Sequence, residues 1–317
     1  MTEERSTSFS IASKVKDYFQ LIKFTLSFTV VFSCVICYLL APNVMGFDWK
    51  MIIILFVAGM LITGSANAIN QAVEKDTDAM MKRTSKRPVA SGRMSATEAY
   101  TFAAIAGIVG VLMMGLFFGS TENGFNWNAA FLSALSLFLY AFIYTPLKKV
   151  NSIAVLVGAF PGALPCLIGW VAATNMIDPF GKLVVNGRAF SNAGGWVLFA
   201  IQFLWQFPHF WAIAWVAHGD YSRAGFKLLP ADKGPTKFTA LQAVMYSVLM
   251  IPVGILPYMT GMSGKTSMWI LIICNLFMVV QSLRLYKEMD VKAARRVMFS
   301  SYIYLPIVLL ALLADKS

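Results

Sequence analysis

The chain has 317 residues, of which 58% are hydrophobic and only 13% charged, with a mean hydropathy of +0.67. A composition this apolar cannot cover a water-soluble domain of that length with polar surface, so a soluble enzyme is excluded. The net charge of +11 raises nucleic acid as a partner, but the placement of the bases argues against it.

Nine apolar runs of membrane-spanning length recur, at roughly 20–42, 51–72, 99–118, 128–146, 152–173, 194–217, 239–259, 267–286 and 297–314. They predict an all-α polytopic membrane protein, a bundle of about nine transmembrane helices around a central cavity. A cytoplasmic segment 1–19 would precede a single nine-helix domain over 20–317. If the N-terminus is cytoplasmic, 21 of the 26 Lys and Arg lie on that side, and only Lys50, Lys182, Arg188, Lys265 and Lys316 fall opposite. That is the positive-inside bias, so the basic charge is mostly topology.

In chain order, "MTEERSTSFSIASKVKDYFQ" shows neither a signal-peptide core nor a transit-peptide pattern, which points to a bacterial plasma membrane. Cys34 and Cys37 form a CxxC inside the first span, where small apolar packing outweighs redox or metal chemistry. The second span runs into "SANAINQAVEKDTDAMMKRTSKRP" (65–88), acids followed by bases. Lys148 and Lys149 fill a tight connection after the fourth span, and "GAFPGALPCLIGW" in the fifth predicts close helix packing or a broken helix. Segment 174–193 reads as a small β-hairpin or a surface loop. Asp220, Arg223 and Lys227 follow the sixth span and repeat the acid-then-base order, a hint of internal duplication.

Three constellations carry chemistry, the connection at Lys148 and Lys149 being one of them. On one helix over 67–82, Asn67, Asn70, Gln71, Glu74 and Asp78 share about 100° of arc, while Asp76 lies on the far side. Carboxylates four residues apart repel unless a cation lies between them, and carboxylate and amide oxygens are the donors Mg2+ prefers. Arg83 and Arg87 follow within reach of the same phosphates. In the sixth span Gln202, Gln206, His209 and Asp220 form a polar stripe, and Pro208 should kink the helix. Two acidic and three basic patches at one membrane face suit a diphosphate bridged by Mg2+, its tail in the bundle. A solvated helix end with topogenic bases is the bland alternative, and polar groups as deep as Asn67 weigh against it.

At these residues the sequence resembles the UbiA-type intramembrane prenyltransferases, whose first motif reads here Asn70, Gln71, Glu74, Asp78, with Gln and Glu where the family has Asp. Within that family, "EKDTDAMMKRTSKRPVASG", "YTPLKK", "GALPCLIGW", "WQFPHFW" and "DYSRAGFKLLP" are most similar to the heme O synthase branch. The resemblance implies that Asn70, Glu74, Asp78 and Asp220 hold Mg2+ as catalytic and metal-binding residues. Arg83, Arg87, Lys148, Arg223 and Lys227 would bind the diphosphate of farnesyl diphosphate. A vinyl group of heme b would take the farnesyl group, water would complete the product, and His209, Gln206, Trp205 and Trp211 would line the heme pocket. The second motif departs from the family in that Asp220 stands alone until Asp232. The lipid bilayer, and the next enzyme of heme A synthesis, are the partners implied. A prenyltransferase with a quinone precursor or another aromatic acceptor is the nearest alternative, and a transporter of an anionic solute comes from another class.

Overall fold

In a bilayer every backbone N–H and C=O must be satisfied within its own segment, so apolar runs of this length become helices. The computed structural model describes residues 11–119, 124–231 and 234–317 and shows this throughout. Helix α1 spans Ile11–Leu21, α2 Phe24–Leu40, α3 Trp49–Val73, α4 Lys75–Met80 and α5 Ala96–Phe117. Helix α6 (Trp127–Phe138) continues through a π-helical turn, Leu139–Tyr144, into α7 (Thr145–Leu147). Helix α8 (Ala154–Thr174) is followed by strands β1 (Lys182–Val185) and β2 (Arg188–Ser191), then by α9 (Ala193–Val216) and α10 (His218–Arg223). The last elements are α11 (Lys237–Val253), α12 (Leu256–Met259), α13 (Lys265–Glu288) and α14 (Val291–Ala314). Among the described residues eight helical stretches are long and apolar enough to cross a membrane, and α1–α2 supplies a ninth as a pair bent by 52°.

Capping residues set the helix starts. Asp48 accepts from Lys50 N and Met51 N at the head of α3, and Ser95, Asn126 and Asp290 do the same for α5, α6 and α14. The Asp290 cap starts the last helix at Val291, six residues ahead of the expected 297. The first span also departs from expectation. Its uniform apolar run suggests one helix from 20, but Lys23 adopts a left-handed φ of 48° and breaks it. Helix α1 then presents Ile11, Val15 and Phe19 outward. Its polar side is tethered by Lys14–Glu98 and Arg93–Asp17 ion pairs of 2.9 Å.

Helix α8 is the most enclosed span and packs on α2, α6 and α9. A Cβ on Gly169 would stand 2.0 Å from the Cys34 carbonyl oxygen, so only glycine lets α8 approach α2 this closely. Of the two readings of "GAFPGALPCLIGW", close packing is the one observed, in an unbroken helix containing Pro161 and Pro165. Helix α9 likewise runs through Pro208 without a break. All four cysteines are free, with Cys34, Cys37 and Cys166 buried in the packing.

Within segment 174–193, β1 and β2 form an antiparallel hairpin whose last pair is Val185 with Arg188, one of the two forms expected there. Asn186 and Gly187 take φ of 49° and 76°, the two left-handed residues a tight two-residue turn demands. At this end of the bundle Lys316 Nζ donates to the carbonyls of Leu39, Ala41 and Val44 at 2.7, 2.8 and 2.7 Å. Leu39 lies in the last turn of α2, where carbonyls lack helical partners, while Ala41 and Val44 belong to the turn that follows it. Burial lowers the Lys316 pKa to about 8.

Candidate active site

At the opposite end, the polar face expected of residues 67–82 survives a change of helix. Helix α3 stops at Val73 and α4 begins at Lys75, with Glu74 as the joint between them. The Asp78 N–H still donates to the Glu74 carbonyl at 2.7 Å, so the turn carries on and Asn70, Glu74 and Asp78 stay on one side. Glu74 and Asp78 are only 4% and 1% exposed, whereas Asp76 is exposed.

A carboxylate withdrawn from water this far must meet a cation. Lys148 Nζ lies 2.5 Å from Glu74 Oε1, and Arg87 Nη1 lies 2.6 Å from Asp78 Oδ2. Lys23 Nζ donates to Asn70 Oδ1 at 2.8 Å, and Asn70 Nδ2 donates to Thr145 Oγ1 at 3.3 Å. Three basic side chains, two paired with the acids and Lys23 with Asn70, therefore gather here, an excess of base that an anionic group would balance. Burial lowers the pKa of Lys148, and Glu74 opposes that shift. Its ammonium also sits 4.9 Å from the Tyr144 ring centroid and 5.5 Å from that of Phe226.

The connecting segments are laced together here. Arg83 Nη2 donates to Tyr221 Oη at 3.0 Å and lies over the same ring. Lys227 N donates to the Lys148 carbonyl at 2.7 Å, and Met81 packs with Ala224 and Phe226. The basic residues expected at the diphosphate thus come to one region from three separate loops. The side chains of Arg83, Arg223 and Lys227 remain exposed at its rim.

Other expected members are differently disposed. Asp220 pairs with Arg223 on its own short helix, and among the described residues no three carboxylate, imidazole or thiolate groups are gathered to hold a metal. Asp232 lies outside the described residues. Gln71 donates to the Gln20 and Leu21 carbonyls, both at 2.9 Å, and so caps the end of α1. Asn67 holds the Ile22 carbonyl and Ser27 Oγ in the same break. Along α9, Trp205 stacks on His209 with ring centroids 4.7 Å apart. Gln206 faces the other way, donating to the Ala159 and Gln202 carbonyls at 2.9 and 3.1 Å. Trp211 packs with Phe207 and Tyr246 between α9 and α11. The reason is angular: Gln206 sits about 100° round the helix from Trp205, and Trp211 about 200° from His209.

A metal fits the cluster on one observation. Asp78 Oδ1 is a buried carboxylate oxygen without a hydrogen-bond partner among the described residues. Such an oxygen costs about 1–3 kcal/mol unless something cationic or protic meets it. Two carboxylates with amide oxygens leave the remaining ligand positions to water and phosphate, the pattern Mg2+ favours.

Lys23, Tyr221 and Thr145 join this region without having been marked in the sequence. A lysine inside "DYFQLIKFTLSF" was itself a signal, because a charge at membrane depth is expensive. Tyr221 and Thr145 carry no such mark.

The UbiA prenyltransferase family model matches residues 30–304. A protoheme IX farnesyltransferase from Cytophaga hutchinsonii is 44% identical over 309 residues, covering 96% of this chain and 99% of the relative. A solved structure of a digeranylgeranylglyceryl phosphate synthase shares the fold, with a TM-score of 0.72 and 24% identity over 96% of this chain and 98% of that one. A UbiA homolog from Archaeoglobus fulgidus, solved with GPP and Mg2+, has a TM-score of 0.58 and 12% identity over 93% and 99% of the two chains. With the family model matched over most of its length, and with eight spans and a bent ninth among the described residues, the chain is an integral membrane protein belonging to the UbiA prenyltransferases.

Proposed function

We propose that this chain transfers the farnesyl group of farnesyl diphosphate to a vinyl carbon of heme b, with addition of water, giving heme O and diphosphate. The observation that carries the reading is the buried excess of base around Glu74 and Asp78. The acceptor rests on likeness to relatives named for protoheme IX farnesyl transfer. Use of Mg2+ rests on the unpartnered Asp78 Oδ1 beside Glu74 and on the A. fulgidus homolog. The protein would work in a bacterial plasma membrane with its N-terminus in the cytoplasm.

Glu74 and Asp78 would hold Mg2+, joined by the oxygens of Asn70 and Asp220. When bound, Mg2+ neutralises charge building on the departing diphosphate. Lys23, Arg87 and Lys148 already stand round those acids and bind the phosphate oxygens; Arg83, Arg223 and Lys227 reach them from the rim. The allylic C–O bond breaks with its electron pair leaving on diphosphate. Aromatic rings at Tyr144, Tyr221 and Phe226 flank Lys148 and Arg83 and would keep water from the cation until the vinyl π electrons form the new C–C bond. Water then adds to the remaining cationic carbon and gives up a proton.

Protein in detergent, given heme b, farnesyl diphosphate and Mg2+, should yield a more hydrophobic heme of hydroxyethylfarnesyl mass on reverse-phase chromatography. Prenylation of an aromatic acid with heme unchanged would retain the fold and sink the acceptor. Intact farnesyl diphosphate would sink the enzyme reading.

A further inference from the structure

We infer that His209 presents its Nε2 lone pair to the iron of the heme, and that Ser301, on α14, is the positioning residue that makes it do so. This rests on the heme reading above and deepens it.

A serine hydroxyl has one proton to donate. Ser301 Oγ donates it to the Met298 carbonyl at 2.6 Å, leaving only lone pairs toward His209 Nδ1, 2.8 Å away. Nδ1 must therefore carry the hydrogen in that contact, and in the neutral ring Nε2 is left as a lone-pair donor. Nε2 has no hydrogen-bond partner among the described residues, and the residue is mostly but not wholly buried.

Ring orientation is fixed from two further sides. Trp205 stacks on the imidazole at 21°, and its Nε1 donates to the Ser301 carbonyl at 2.9 Å. Tyr302 meets it edge-on at 5.3 Å. Ser301 is fully buried, so no water competes for its oxygen. An acceptor-only Nε2 offers nothing to a heme propionate, which needs a donor, whereas an iron takes the lone pair directly. An imidazole whose far N–H is held by a fixed acceptor is the usual arrangement of a metal-binding histidine.

The test titrates the detergent-solubilised protein with heme b and, separately, with metal-free protoporphyrin IX, without farnesyl diphosphate. With heme b the wild type should show the Soret shift of an imidazole-ligated iron. His209→Ala should lose that shift yet bind metal-free porphyrin as before. Ser301→Ala keeps the backbone carbonyl that anchors Trp205, and should weaken the ligated form about tenfold or more without weakening porphyrin binding. Ser301→Thr, which restores a hydroxyl, should recover it. A wild-type spectrum retained by His209→Ala, or by Ser301→Ala at unchanged affinity, overturns the inference. If the wild type binds neither heme b nor porphyrin, the acceptor reading falls. The 15N resonances of His209 still decide the tautomer in that case, and protonation at Nε2 overturns the role given to Ser301.

Discussion

Two helix ends in this bundle carry the same order of charge, acid then base, and the structure treats them differently. At the end of α3, Glu74 and Asp78 are buried and each meets a base from elsewhere in the fold or the following loop. At the end of α9, Asp220 meets only Arg223 among the described residues, three residues on, in a six-residue helix with no buried residue. The first end is a preorganised cradle, its charges fixed by long-range packing before anything binds. The second is an open arm whose pair is a local, solvent-weakened contact. Similar sequence signals therefore describe different energetics: one stores buried charge, and the other is free to exchange its partner for a ligand.

The sharpest way to break this comparison is to remove one acid from each end. Asp78→Asn is expected to lower kcat/KM about 10³-fold and Asp220→Asn about 10²-fold, within the range for losing one preorganised electrostatic contact. Circular dichroism and size-exclusion profiles in detergent should be unchanged. Equal losses would make the two ends equivalent and remove the distinction. Asp78→Ala is a poorer choice, since it also deprives the partly buried Arg87 of its partner, a change that costs about 3–5 kcal/mol in buried pairs.

Lys148 sharpens the same contrast through pH. Its pKa is lowered by burial, so its charge, and with it affinity for diphosphate, should be lost at lower pH than an ordinary lysine allows. A kcat/KM profile should show that alkaline limb, and Lys148→Arg, which stays charged, should remove it. A limb unmoved by Lys148→Arg would assign it to another group. Lys23→Met should raise the KM for farnesyl diphosphate about tenfold while leaving kcat nearly unchanged, as expected for a group that binds ground and transition states alike.

The smallest effect belongs to the far end of the bundle. Folded Lys316 releases its proton near pH 8 and the unfolded residue near 10.5, so the unfolded chain binds more protons between those values. Stability should therefore rise with pH across that window, and Lys316→Met should flatten the slope in thermal unfolding.

The spans and the shared face of Asn70, Glu74 and Asp78 were legible because each depends on local pattern, apolar length or helical spacing, whereas 174–193 read equally as a hairpin or a surface loop. The break at Lys23 was not legible, since it is held by Asn67 and Gln71 from another helix. Nor was the division of the α9 stripe. Periodicity places Gln206 and His209 on neighbouring faces, but only packing decides that one meets α8 and the other Ser301, 92 residues away. Asp220 was legible as an acid beside a base, not as the more exposed of two such pairs.

The most direct test is calorimetric binding of a thiolodiphosphate analogue of farnesyl diphosphate, which resists ionisation, to wild type and Asp78→Asn with Mg2+ or EDTA present. Binding that needs Mg2+ in the wild type and weakens at least about tenfold in Asp78→Asn is the predicted result. Equal affinity in EDTA, or in the variant, would contradict a cradle in which buried acids and bases hold a magnesium diphosphate.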